Sequence, residues 1–295
     1  MNITLQQMIT LDAVVNEGSV QAGAQRLHKT HPGVITALKN LEEELGFALF
    51  DRSGYRSVLT AEGKAFHQGV KRILGDLLEL KNQARQLQRG EETELNIVLG
   101  DTTPNANALS VLRRFTETCP NTRLNLFFEN ISGPNEWLLN GDADLIVHHI
   151  DKSDPRYEYH DFCKVPIVPV VAPGFLPFPI NEKIHYTDMK NYTQCLIRDT
   201  AVHGEHKNYF VLEDSPHITV GDQYTKKEVI LQGMAWGHMP LFLIENELNA
   251  GQLVSLEGEH IKGNLLDIVV ARLSTREKGV MAERLWQFFV NRDSV

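Results

Sequence analysis

The chain has 295 residues, too many for one ordinary small domain and enough for two or three. Its 42% hydrophobic and 23% charged content exclude a disordered or fibrous chain, and no run approaches the roughly 18 consecutive apolar residues of a membrane span. The net charge of −9 is uneven, since residues 1–90 carry 11 Lys and Arg against 9 Asp and Glu while residues 91–295 carry 18 against 29. A nucleic-acid surface therefore belongs to the N-terminal third.

No basic stretch followed by an apolar core opens the sequence, so a signal peptide is not expected and a cytoplasmic location is. Leu5, Met8, Leu11 and Val15, with Ile9 and Val14, recur at helical spacing and predict a first helix ending at Gly18. Ser19 can cap a second helix through Leu27, with Val20, Ala24 and Leu27 inward. Thr30-His31-Pro32-Gly33 opens a third, whose apolar stripe Val34, Leu38, Leu41 and Leu45 turns Ile35, Thr36, Lys39 and Asn40 outward. Three short helices with a tight turn between the last two predict a helix-turn-helix whose third helix enters the major groove. A Ser-Gly turn between the apolar ends of residues 47–59 predicts a hairpin wing, with Arg52 and Arg56 at DNA phosphates.

Thr60 caps a long helix over Ala61 to Gln88. Phe66, Val70, Ile73, Leu77, Leu80, Ala84 and Leu87 alternate steps of 4 and 3 along it, which demands a partner helix and so a dimer. Dimerisation in turn predicts paired half-sites in double-stranded DNA, about one or more helical turns apart.

From Glu94 strands alternate with helices. Strands are expected at Leu95–Gly100, Arg123–Glu129 and Asp144–Ile150, with helices at Pro104–Cys119 (Leu109, Leu112 and Phe115 inward) and Pro134–Asn140. This βαβαβ order implies a parallel sheet. A second unit follows, with strands near residues 166–171, Thr193–Arg198, His217–Val220 and Met239–Ile244. Its helices are expected around Glu205–Val211 and Tyr224–Gly233, before a closing strand Leu265–Ala271 and a helix near Arg276–Asn291. Two such lobes make an α/β clamshell with a ligand site between them. The expected domains are 1–60, a winged helix-turn-helix; 61–90, a dimerising linker helix; and 91–295, an effector domain. In the last, lobe one is 91–163 with 266–295 and lobe two is 164–265.

For the effector, the loop Gly100-Asp101-Thr102-Thr103-Pro104 offers N–H groups and two hydroxyls, with Ser132, His148, Asp199 and Thr200 at other strand ends. Asp101 points to a neutral or cationic effector over a carboxylate. His148-His149 and His203-Gly204-Glu205-His206 supply too few ligands for a metal at a recognised spacing, and no cofactor is expected. Cys119, Cys163 and Cys195 form no Cys-x-x-Cys pair. No nucleophile elbow, phosphate-binding glycine loop or His-Glu-x-x-His is present, so an enzyme is not expected.

Ser19…Gly23-Ala24…Leu27, Thr30-His31-Pro32-Gly33-Val34, Leu41-Glu42-Glu43-Glu44-Leu45-Gly46…Leu49-Phe50-Asp51-Arg52 and Leu59-Thr60…Gly63 resemble the LysR-type transcriptional regulator family, as does Gly233…Pro240. The resemblance implies sequence-specific transcription regulation by a homotetramer built from two kinds of dimer, with RNA polymerase as a further candidate partner. It also implies a two-lobed effector domain like the periplasmic binding proteins, with a co-inducer between the lobes touching the loop at Thr102 and Thr103. His31, Ile35 and Thr36 depart from the family's usual Gln, Ser and Arg at groove-facing positions, so the base sequence read does not carry over. Cys195-Leu196-Ile197-Arg198-Asp199 is similar to a run in the peroxide-sensing branch, without a resolving cysteine downstream. A redox-responsive regulator using Cys195 is one alternative reading; a cytosolic ligand-binding protein or enzyme without DNA function is another.

Overall fold

The computed structural model describes residues 1–51, 58–203, 206–207 and 209–292. It divides into two compact units, Met1–Gln88 and Arg89–Val295.

In the first unit, α1 (Leu5–Glu17) starts at a capping box: Thr4 Oγ1 accepts from the Gln7 N–H, and the Gln7 side chain accepts from the Thr4 N–H. It stops at Gly18, whose φ of +72° suits glycine. Its buried residues Thr10, Leu11, Ala13 and Val14 lie in its middle turns, and Leu5, expected inside, is exposed. α2 (Val20–Arg26) is capped by Ser19 and α3 (His31–Leu45) by Thr30, with Pro32 in the tolerant first turn and Gly46 at the end. Val34, Leu38 and Leu41 of α3 join Leu11, Val14, Ala24 and Leu49 in one core.

The wing strands β1 (Phe50–Asp51) and β2 (Val58–Leu59) pair antiparallel, Phe50 opposite Leu59. The turn with Arg52 and Arg56 lies outside the described residues. Glu42 Oε1 accepts the N–H groups of Leu49 and Phe50, tying the wing's base to α3.

The helix α4 (Ala61–Gln88) is capped by Thr60, whose Oγ1 accepts the Gly63 N–H and donates to Ala48 O. Its first turns belong to the helix-turn-helix: Val70 is buried in the core, Phe66 and Leu74 pack on it, and His67 Nε2 meets Asp12 Oδ1 at 2.9 Å. Phe66 and Val70 were expected to open the dimer seam. The stripe faces the chain's own core there, because α4 crosses α1 before running free. Farther along, Ile73, Leu80 and Leu87 are 47%, 61% and 64% exposed.

The second unit begins with β3 (Glu94–Gly100), α5 (Asn105–Thr118), β4 (Arg123–Glu129), α6 (Gly133–Asn140) and β5 (Leu145–His148), with β3 parallel to both β4 and β5. The 15-residue β6 (Tyr157–Val171) follows, then α7 (Tyr186–Met189), β7 (Gln194–Ile197), β8 (His217–Val220), α8 (Gln223–Leu231) and β9 (Gly237–Pro240). α9 (Leu241–Asn249), β10 (Val254–Ser255), β11 (Asn264–Leu273) and α10 (Val280–Val290) complete it.

The main sheet runs β10-β6-β11-β5-β3-β4, with β9 also on β6, and it is mixed where a parallel one was expected. β11 is antiparallel to β5 and β6, and these two long strands extend through both lobes. The first half of β6 escaped the pattern reading because its side chains are mostly half-buried or exposed, leaving no apolar run. Leu95, Ile97, Phe115 and Trp286 pack one face, Val98, Leu138 and Ile146 the other. On α5 the inward residues are Ala108, Val111, Leu112 and Phe115, and Leu109 is exposed.

Two further expectations change. Among the described residues of 205–211 there is no helix. The predicted strand Met239–Ile244 is instead the end of β9 followed by α9, since Pro240, lacking an N–H, closes the ladder and starts a helix at no cost in hydrogen bonds.

Candidate functional site

On the first unit, Thr30, His31, Pro32, Gly33, Ile35, Thr36 and Lys39 are all exposed along one side of α3, opposite the buried Val34–Leu38–Leu41 stripe. Thr30 Oγ1 accepts the Gly33 N–H at 3.3 Å and Thr36 Oγ1 donates to Pro32 O at 3.0 Å, so both hydroxyls are anchored to their own helix. Ile35, 39% exposed, presents an apolar side chain among polar neighbours.

In the second unit a cavity of about 160 Å³ opens at the carboxyl ends of β3 and β5. Asp101 and Thr102 border it after β3, and His149 after β5. Leu196 and Ile197 of β7, Gln223 and Lys226 of α8, and His238 of β9 close the other side, with Tyr209 and Phe210 across the mouth. Ile167 of β6 and Leu266 of β11 form an apolar floor. Two lining residues hold left-handed backbone, Ile131 at φ +56° and Phe210 at φ +61°. Such conformations cost about 1–3 kcal/mol for non-glycine residues and concentrate at ligand clamps.

The electrostatics are unusual for so small a space. Burial pushes the Asp101 carboxyl up, against hydrogen bonds from the Gln223 side chain and the Ile131 N–H. Burial also brings Lys226 down to about 8, with Cys195 and Asp101 opposing, and His149 and His238 to about 3. Both imidazoles are therefore neutral across the physiological range. Among the described residues, Thr102 Oγ1, His149 Nδ1, Gln223 Oε1 and His238 Nδ1 are buried without a hydrogen-bond partner, so this one cavity gathers four unmet polar atoms.

The seven residues expected to meet the effector separate. Asp101 and Thr102 line the cavity; the other five do not. Thr103 Oγ1 donates to Val147 O at 2.6 Å, and His148, fully buried, contacts Ile131 O through Nε2 at 2.8 Å. Ser132, Asp199 and Thr200 join a clasp between the lobes. The Asp199 carboxylate accepts the N–H groups of Ser132, Ala201 and Lys207, while Thr200 Oγ1 accepts the Asn130 N–H and donates to Asn130 O. Burial raises the Asp199 carboxyl, but these donors outweigh it and hold it below the ordinary range. Glu136 adds the N–H groups of Val202 and His203, each at 2.6 Å. Strand-end polar groups thus serve lobe closure.

Sequence reading missed His149, Tyr209, Phe210, Gln223, Lys226 and His238. A signal existed for two of them: Gln223 and Lys226 share a helix face with the core residue Ile230, at steps of 3 and 4. The remainder depend on how the two lobes meet.

Cys195 is fully buried and burial pushes its thiol up, the opposite of a peroxide-reactive thiolate. Among the described residues no group of three or more His, Cys, Asp or Glu can hold a metal ion, and no helix is long and apolar enough to cross a membrane. Gly204 and Glu205 of the His203–His206 run lie outside the described residues.

Residues 5–64 match the family model described as bacterial regulatory helix-turn-helix protein, lysR family, and residues 88–294 that described as LysR substrate binding domain. An uncharacterized HTH-type transcriptional regulator of Escherichia coli strain K12, YeeY, is 30% identical over 256 residues, covering 85% of this chain and 82% of that protein. The HTH-type transcriptional regulator AceR of Acinetobacter baumannii is 25% identical, over 84% of each chain. Among solved structures, full-length LysG from Corynebacterium glutamicum with bound effector Arg has the same fold, at 18% identity, TM-score 0.51, and coverage of 98% and 97%.

Proposed function

The chain belongs to the LysR family of bacterial helix-turn-helix regulators, and from that premise we propose that it binds an interrupted dyad in DNA through α3 and answers to a small molecule held in the cavity of its second unit. The carrying observation is the exposed side of α3. Polar and small side chains from Thr30 to Lys39 stand clear of a fully buried stripe, at the helix end that enters the major groove in this motif. Thr30, His31, Pro32, Gly33, Ile35, Thr36 and Lys39 are the proposed contacts on that helix, and Arg52 and Arg56 those of the wing. Phosphate contacts supply most of the affinity, and base contacts the selectivity.

Ile73, Leu77, Leu80, Ala84 and Leu87 are the proposed dimer seam, paired with the same residues of a second copy. Exposed Leu109, Phe128 and Tyr224 on the second unit are the proposed second contact of a tetramer. The regulator works beside the chromosome, in the cytoplasm.

A gel shift with the DNA upstream of the protein's own coding sequence tests the reading. A salt-sensitive, sequence-selective complex is expected, and Lys39→Ala should weaken it by about 1–2 kcal/mol with a shallower salt dependence. No selective complex at any salt concentration would overturn it.

A further inference from the structure

We propose that the effector of this protein is a small monocarboxylate with an apolar, ring-sized body, its carboxylate seated on the Lys226 ammonium. The proposal rests on the reading of the cavity as the effector site and adds the ligand's charge and size.

Lys226 is 6% exposed, lines the cavity, and makes no hydrogen bond to a described residue. Its stem lies against Gly237, where a Cβ would crowd the Lys226 Cε at 3.1 Å, so the side chain has little room to turn away. An ammonium has three donors and no acceptor, and in a nearly buried lysine those donors can be met only from the cavity it lines.

Asp101 is the nearby countercharge, but its needs are already met. Gln223 Nε2 donates to its Oδ2 at 2.8 Å and the Ile131 N–H supplies another bond. Burial also pushes its carboxyl up, which weakens its hold on the negative charge that would repel an incoming anion. Unmet demand in the cavity is therefore for acceptors at Lys226, and a carboxylate supplies two. The unpartnered Gln223 Oε1 and Thr102 Oγ1 leave a place for one hydroxyl on the ligand.

Size and shape come from the rest of the wall. A cavity of about 160 Å³ compares with the roughly 150 Å³ apolar cavity that accepts benzene. Ile167, Leu266 and Leu196 offer no hydrogen bond from their side chains, and Phe210 stacks on His238 at 4.4 Å with 14° between planes, making a flat wall.

Three probes of matched shape separate the charge states: benzoate, benzamide and benzylamine, tested by thermal shift and calorimetry on the full chain. For a dissociation constant of about 0.1–1 mM, 10 mM benzoate should raise the melting temperature by roughly 3–8 °C. Benzamide and benzylamine should do so by less than about 1 °C. Lys226→Met should lose at least about thirtyfold in benzoate affinity. Asp101→Asn, which leaves an oxygen to accept from Gln223 and excludes a negative charge at that position, should bind benzoate as tightly as the unaltered chain or tighter, and it decides the matter if Lys226→Met fails to fold. Preference for benzamide or benzylamine, or loss of benzoate binding in Asp101→Asn, overturns the carboxylate assignment and leaves the cavity an effector site. If none of the three binds at 10 mM, the monocarboxylate assignment falls, while the cavity's reading as an effector site is judged separately by thermal shift against a metabolite library and DNA binding by the gel shift.

Discussion

Gly100 ends β3 with its Cα pressed on the buried His148 ring, and a Cβ there would collide with it. His148 has no freedom to yield, because its Nε2 is held at Ile131 O and its other face meets His149 at 4.1 Å. Gly100→Ala is therefore expected to cost about 1–3 kcal/mol, the usual penalty of overpacking, and to lower the melting temperature of the second unit by roughly 3–10 °C. Thermal denaturation followed by circular dichroism checks this, and an unchanged melting point would mean the ring can move. The same contact explains why a polar residue at a strand end is silent toward ligand: His148 shapes the loop that places Asp101 and Thr102.

The long helix α4 shows how one apolar stripe serves two purposes. Its first four turns complete the helix-turn-helix core, through Phe66, Val70 and Leu74. Its later turns present Ile73, Leu80 and Leu87 to water within a single copy, a stripe that gains stability only by pairing. Ile73→Glu combined with Leu80→Glu should give monomers that keep their helix content and lose dyad binding, as sedimentation and gel shift would show. Val70→Ala should instead destabilise the first unit, by about 1–3 kcal/mol. The opposite pattern, dimers surviving the double change, would remove the seam from α4.

For the second unit as a whole, three buried imidazoles set the acid response. Burial depresses His148 to about 4 and His149 and His238 to about 3, below the ordinary 6.5. Between those values the unfolded chain binds more protons than the folded one, so stability is full above about pH 6.5 and falls as pH drops toward 4. Asp101 and Asp144 act the other way, since their raised carboxyls favour the folded state on acidification, but two groups oppose three. Acid unfolding followed by tryptophan fluorescence should thus begin near pH 6. Replacing His149 with Gln should make the acid limb shallower, and an unaltered limb would place the imidazoles in water.

Local chemistry carried most of the architecture. Helix caps at Ser19, Thr30 and Thr60, the stop glycines Gly18 and Gly46, and the stripe of α3 are decided by neighbours within a few residues, so they are legible in the chain alone. Charge distribution likewise put the nucleic-acid surface on the first unit. What eluded the sequence involves partners far apart: β6 pairing with β11, about a hundred positions away, and the end of the α4 stripe's allegiance to its own core. The cavity of the second unit is the clearest case. Asp101, His149, Lys226 and His238 come from four separate elements, and burial, which only the closed lobes provide, turns ordinary polar side chains into an unmet ammonium among neutral imidazoles. Sequence alone pointed from Asp101 to a neutral or cationic effector. Folding hydrogen-bonds that carboxyl to Gln223 and buries Lys226 in the same wall, and which charge the cavity offers a ligand is a property of the assembled wall and of no single residue.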